Sequence, residues 1–87
     1  MSVVEAIRAD LARLGKRDLA LAEGGLAAAA LALAERLDDP SDSATSKANC
    51  AKALLELMTR LEALAPTQVE KEGIDELRRK RQRRRAG

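Results

Sequence analysis

The sequence predicts an all-α fold, and three observations predict it. Alanine (18) and leucine (14), both strong helix formers, supply most of the apolar residues of an 87-residue chain that is 46% hydrophobic. The strand formers are nearly absent, with no Phe, Tyr or Trp, three Val and two Ile. The apolar residues also recur at three- and four-residue spacing between Gly, Pro and Asp/Ser punctuation. At this length the chain is one small domain.

The first element follows Ser2-Val3-Val4-Glu5, which has the S-x-x-E spacing of a capping box. Val4, Ile7, Leu11 and Leu14 mark a helix over residues 3–14, with Gly15 as an expected left-handed stop. Lys16 and Arg17 form the turn, and Asp18 is a good N-cap for a second helix over residues 19–37. There Leu19, Leu26 and Leu33 repeat every seven residues while Ala22, Ala29, Ala30 and Leu37 fill the neighbouring positions, a stripe that wants a partner helix. Gly24-Gly25 should cost about 1 kcal/mol per glycine inside that helix, tolerated as a kink or used for close packing beside Ala27–Ala30. Residues 38–43, Asp-Asp-Pro-Ser-Asp-Ser, read as a loop whose Ser43 or Asp42 caps a third helix over residues 44–64. Ala51, Leu54, Leu55, Met58, Leu61 and Leu64 are its apolar stripe, and Pro66 marks its stop.

Two 20-residue helices joined by a short loop predict an antiparallel hairpin, with the short N-terminal helix beside it. Residues 1–65 form this core, 66–73 a linker and 74–87 a basic C-terminal arm, helical or a tail. In the arm Ile74-Asp75-Glu76-Leu77 opens a helix that is marginal in isolation, so order on binding is expected. A core built without one aromatic seldom supplies more than about 3–5 kcal/mol at this size. Lacking disulfides and metal ligands, the chain is expected to oligomerise through its Leu/Ala stripes, with Leu19, Leu26, Leu33, Leu37, Leu54, Met58 and Leu61 at the interface.

The net charge of +2 conceals a division. Arg78, Arg79, Lys80, Arg81, Arg83, Arg84 and Arg85 are seven cations uninterrupted by an acid. The nine remaining bases stand against all 14 acids, so residues 1–77 carry −5. Such blocks serve as interaction arms for polyanions, and the arginine bias favours bidentate phosphate contacts. The plain alternative is a solubilising end; the arm is read instead as the nucleic-acid contact. Arg13, Lys16 and Arg17, with Arg8 nearby, are a possible secondary basic patch interleaved by Glu5, Asp10 and Asp18.

Missing residue types exclude chemistry. Without histidine there is no imidazole base and no Ser-His-Asp or Cys-His arrangement, so no enzyme is expected. Cys50, the one cysteine, is read as a small buried hydrophobe. Asp38, Asp39 and Asp42 lack the spacing, glycine and closing glutamate of a calcium loop and read as a solvated acidic loop. Neither a metal nor a cofactor nor a small-molecule ligand is expected. The turn at residues 15–18 has the outline of a helix-turn-helix, but Leu19 to Gly24 offer almost no base-reading donors, so it reads as an ordinary helical corner. The longest apolar run, Leu26–Ala34, is too short for a membrane span. Without a basic n-region at the start, and with a lone thiol, a cytoplasmic location is expected.

Three stretches, "LARLGKRDLALAEGGLAAAALALAERLDDP", "AKALLELMTRLEAL" and "IDELRRKRQRRRAG", taken together resemble the small terminase subunits of tailed bacteriophages and prophages of high-GC bacteria. The likeness runs from about Leu11 to Gly87, and the Asp-Glu-Leu followed by arginines carries most of it. It implies a non-catalytic DNA-packaging factor that assembles into rings, binds double-stranded viral DNA and presents it to the large terminase subunit in the bacterial host. The ring core would fall on the second and third helices and the DNA contact on Arg78–Arg85. The alternative is a helical protein–protein adaptor or regulatory protein whose basic tail docks on an acidic partner.

Overall fold

The computed structural model describes residues 1–86, with side chains at all of these positions except 68, 69, 71, 85 and 86. The described residues form five helices and no strand: α1 (Val3–Gly15), α2 (Leu19–Glu23), α3 (Gly25–Asp38), α4 (Ala44–Leu64) and α5 (Gln68–Ala86).

The start of α1 is closed from two directions. Ser2 Oγ accepts from the Glu5 N–H at 3.1 Å, and the Ser2 carbonyl accepts from the Ala6 N–H at 3.1 Å. The Val3 and Val4 N–H groups, which a helix leaves without internal partners, donate to Asp38 Oδ1 and Oδ2 at 2.9 Å each. One carboxylate at the end of α3 thus pins the beginning of α1. Gly15 is the last residue of α1 rather than a left-handed stop, and no described glycine has positive φ. The chain leaves through Lys16 in right-handed geometry, with the Arg17 and Asp18 N–H groups both donating to the Leu14 carbonyl at 2.9 Å. Backbone bonds close this turn, so the glycine's special freedom is not needed.

The expected single helix over residues 19–37 is two helices. Asp18 caps α2 as predicted, its Oδ1 accepting from the Leu21 N–H at 3.1 Å. Gly24 then adopts φ −85°, ψ −175°, extended backbone that ends α2 and starts α3. Two consecutive glycines remove the helix propensity that would carry the chain through. Redirection there lets α3 present Ala27, Ala30 and Ala34, one face at helical spacing, to its neighbours; all three are buried. Both α1 and α4 pack on α3. Ile7, Leu11 and Leu14 from α1 and Leu54 and Leu61 from α4 join the alanines in one core, closed by Ala65. Small residues on the central helix allow close approach, and leucines from either neighbour supply the volume.

The acidic loop is tied locally. Asp39 Oδ1 accepts from the Ser41 N–H at 2.9 Å and the Ser41 hydroxyl at 2.7 Å. Arg36 reaches Asp42 at 3.4 Å and donates to Ser46 Oγ at 2.9 Å. Ser43 caps α4, its Oγ accepting from the Ser46 N–H at 3.0 Å, and α4 ends two residues before Pro66.

The expected linker over residues 66–73 gives way to helix. Thr67 Oγ1 accepts from the Glu70 N–H at 3.1 Å while Glu70 Oε2 accepts from the Thr67 N–H at 3.0 Å, a reciprocal capping box. From that nucleus α5 runs through Gly73 to Ala86, where order had been expected on binding; Gly87 lies outside the described residues. Acids fill its first half and cations its second, the arrangement the helix dipole favours. Asp75 and Arg79, and Glu76 and Lys80, stand at i, i+4 with the acid leading. None of its described side chains is buried, and at about 1.5 Å per residue it accounts for nearly half of the molecule's 64 Å length.

Candidate nucleic-acid interface

The basic segment of α5 is exposed at every described position: Arg78, Arg79, Lys80, Arg81, Arg83 and Arg84. The seventh predicted cation, Arg85, has a side chain outside the described residues. At about 100° per residue these six cations point around the whole helix rather than along one side. The nearest acids in sequence, Asp75 and Glu76, stand before the basic run. The result is an exposed cationic rod, suited to phosphates on more than one side.

The possible secondary patch is differently placed. Arg13 donates to Asp10, and Arg17 pairs with Glu62 of α4 at 2.6 Å. Arg17 is only 24% exposed in its side chain, and its Nε is buried without a hydrogen-bond partner. It ties the α1–α2 turn to the end of α4. Lys16 is exposed at the mouth of an open groove of about 400 Å³ between α1, α2 and α3. The patch is therefore part fastening and part groove rim, not one cationic surface. The helix-turn-helix outline ends in an α2 of five residues, a corner rather than a reading helix.

The acidic loop holds no metal-binding cluster among the described residues. Two backbone N–H groups, Val4 first and Val3 second, hold the Asp38 carboxyl below its usual range. The Ser41 hydroxyl, then its N–H, does the same for Asp39. Cys50 is a buried free thiol.

Of the residues expected at an oligomer interface, Leu54 and Leu61 are buried in the chain's own core, Leu61 with no exposed surface. They sit on the side of α4 that meets α3, so the intrachain core takes them first. Leu26, Leu33, Leu37 and Met58 are half-buried, and Leu19 is 61% exposed. Leu55 and Leu64, part of the predicted α4 stripe but absent from the expected interface, are 70% and 55% exposed. Their row is wider than one packing face, and that width was the available signal.

Among the described residues the chain is all-α, with one exposed, strongly basic helix, α5. Its comparison with protein-family models, curated proteins and solved structures yields no match.

Proposed function

We propose that this chain is a non-catalytic DNA-packaging factor of the small terminase type, which self-associates, binds duplex DNA through α5 and presents it to a large packaging subunit. The observation that carries the DNA contact is the solvent exposure of all six described cations on one helix that stands clear of the core. A helix about 10–12 Å across fits a major groove about 12 Å wide, with phosphates on both walls. Cations around the full circumference suit that placement better than a flat surface. The α3–α4 pair serves as a hairpin that carries self-association, supported by the outward Leu55 and Leu64 and by a core that is small for a lone subunit. The terminase assignment itself rests on the sequence resemblance.

Truncation after Leu77 tests the reading. Anisotropy titration with a duplex should show binding by the full chain that falls steeply with salt. With seven phosphates contacted the log–log slope approaches about −6. The truncated chain should lose that binding and keep its oligomeric state. Equal affinity of the two chains would overturn the assignment of α5. Absence of salt-sensitive duplex binding by the intact protein at low ionic strength would favour the adaptor reading instead.

A further inference from the structure

We propose that the groove between α1, α2 and α3 receives the α5 helix of a second copy of this chain, an arrangement that joins subunits head to tail. This rests on the self-association put forward above and adds a second pair of surfaces to the α3–α4 contact.

The groove has apolar walls from Leu11, Leu19 and Leu31, deepened by small residues at Gly15 and Ala22, and a charged rim of Arg8, Lys16 and Glu23. Leu19 contributes nothing to the buried core and is 61% exposed at its edge. The chain also carries an unburied helix of matching character. Glu70, Ile74, Leu77 and Arg81 follow one another at spacings of four, three and four, which aligns them along one side of α5. Ile74 and Leu77 are 46% and 58% exposed and pack on nothing in the core. The stripe therefore offers two apolar side chains between an acid and a base, and the groove offers an apolar floor between bases and an acid. Apolar anchors set in a pocket with a charged rim are the pattern of a helix-in-groove contact.

The two surfaces are different patches of the same molecule, so each bound subunit leaves one groove and one helix open. Contacts of that kind generate rings or filaments rather than closed dimers. The arginines beyond Leu77, Arg81 aside, lie off the stripe or past it, so docking leaves cations available to phosphate.

A cysteine pair tests this in a Cys50→Ala background. Chains carrying Leu19→Cys are mixed with chains carrying Leu77→Cys under mild oxidation, and the products are separated on a non-reducing gel. A mixed disulfide between the two species is expected. A disulfide of Leu77→Cys with itself in its place would mean that α5 pairs with α5, and would overturn the proposal. So would a bond confined to one chain when both substitutions are combined. Leu19→Arg should weaken self-association about thirtyfold in sedimentation equilibrium, the loss expected of a removed anchor. Because Leu19 is exposed, the helical signal should be unchanged, and unaltered self-association would count against the groove. Leu55→Arg, outside the groove, probes the α3–α4 contact instead and should leave the mixed disulfide in place. Duplex binding is read separately: cross-linking without DNA binding retains the groove and removes the packaging function, whereas DNA binding without cross-linking does the reverse.

Discussion

Ala30 has no exposed surface, and its neighbours along the α3 face, Ala27 and Ala34, are 2% and 0% exposed. Ala29, next to it in sequence, points to solvent. Ala30→Val and Ala29→Val therefore apply one chemical change to one helix on its two sides. Both variants lose about 0.5–0.7 kcal/mol of helix propensity, because the branched side chain loses rotamer freedom. At Ala30 the added methyl groups must also enter a face on which α1 and α4 both close, and overpacking of this kind costs about 1–3 kcal/mol more. At roughly 4–8 °C per kcal/mol for a domain of this size, Ala30→Val should melt about 5–20 °C below Ala29→Val. Thermal unfolding followed by circular dichroism at 222 nm measures the gap directly. If the two variants melt together, the alanine face is not the close-contact seam and the account of the core fails.

Gly25 opens α3 with nothing near the site of an added Cβ, so Gly25→Ala should stabilise by about 0.4–1 kcal/mol in urea unfolding. Gly24→Ala should instead lower the midpoint, since its Cβ would lie 3.0 Å from the Ala20 carbonyl oxygen. The Val4 and Val3 N–H groups hold the Asp38 carboxyl below the usual aspartate range, so it stabilises the fold above the unfolded value, and the contribution disappears as pH falls through the lower folded value. The melting temperature of Asp38→Ala should accordingly trail the parent at neutral pH and converge with it in acid; a gap that persists at low pH would remove the carboxylate from that role. Gly73→Ala, mid-helix and in open space, should strengthen α5 by about 0.5–1 kcal/mol. That gain should appear as added helical signal with little change in the main melting transition.

Local punctuation made much of the fold legible. Ser2, Asp18 and Ser43 cap the helices they were expected to cap, because a short side-chain acceptor beside an apolar row has few other uses. The bounds of α4 follow for the same reason. What stayed hidden depended on partners distant in sequence. Asp38 looked like loop acidity because its two N–H donors lie 34 and 35 residues away. Arg17 looked like a free cation because Glu62 is 45 residues on. The division at Gly24 was readable as a weak point but not as a change of direction, which packing decides. Thr67-Gln-Val-Glu70 is different: its T-x-x-E spacing was present in the sequence and was outweighed by the charged residues after it. At the candidate interface the cations were evident from composition, whereas their spread around a helix required that capping nucleus.

The hold of Asp38 on Val3 and Val4 has a kinetic consequence. Amides in the first turn of a helix ordinarily trade their protons with water almost at once, because that turn frays independently of everything else. Here those two protons can leave only when the far end of α3 lets go. Deuterium uptake at the second and third peptide bonds should therefore be slow and should keep pace with the opening of the α1–α3 pair, so that the outermost residues report on the innermost contact.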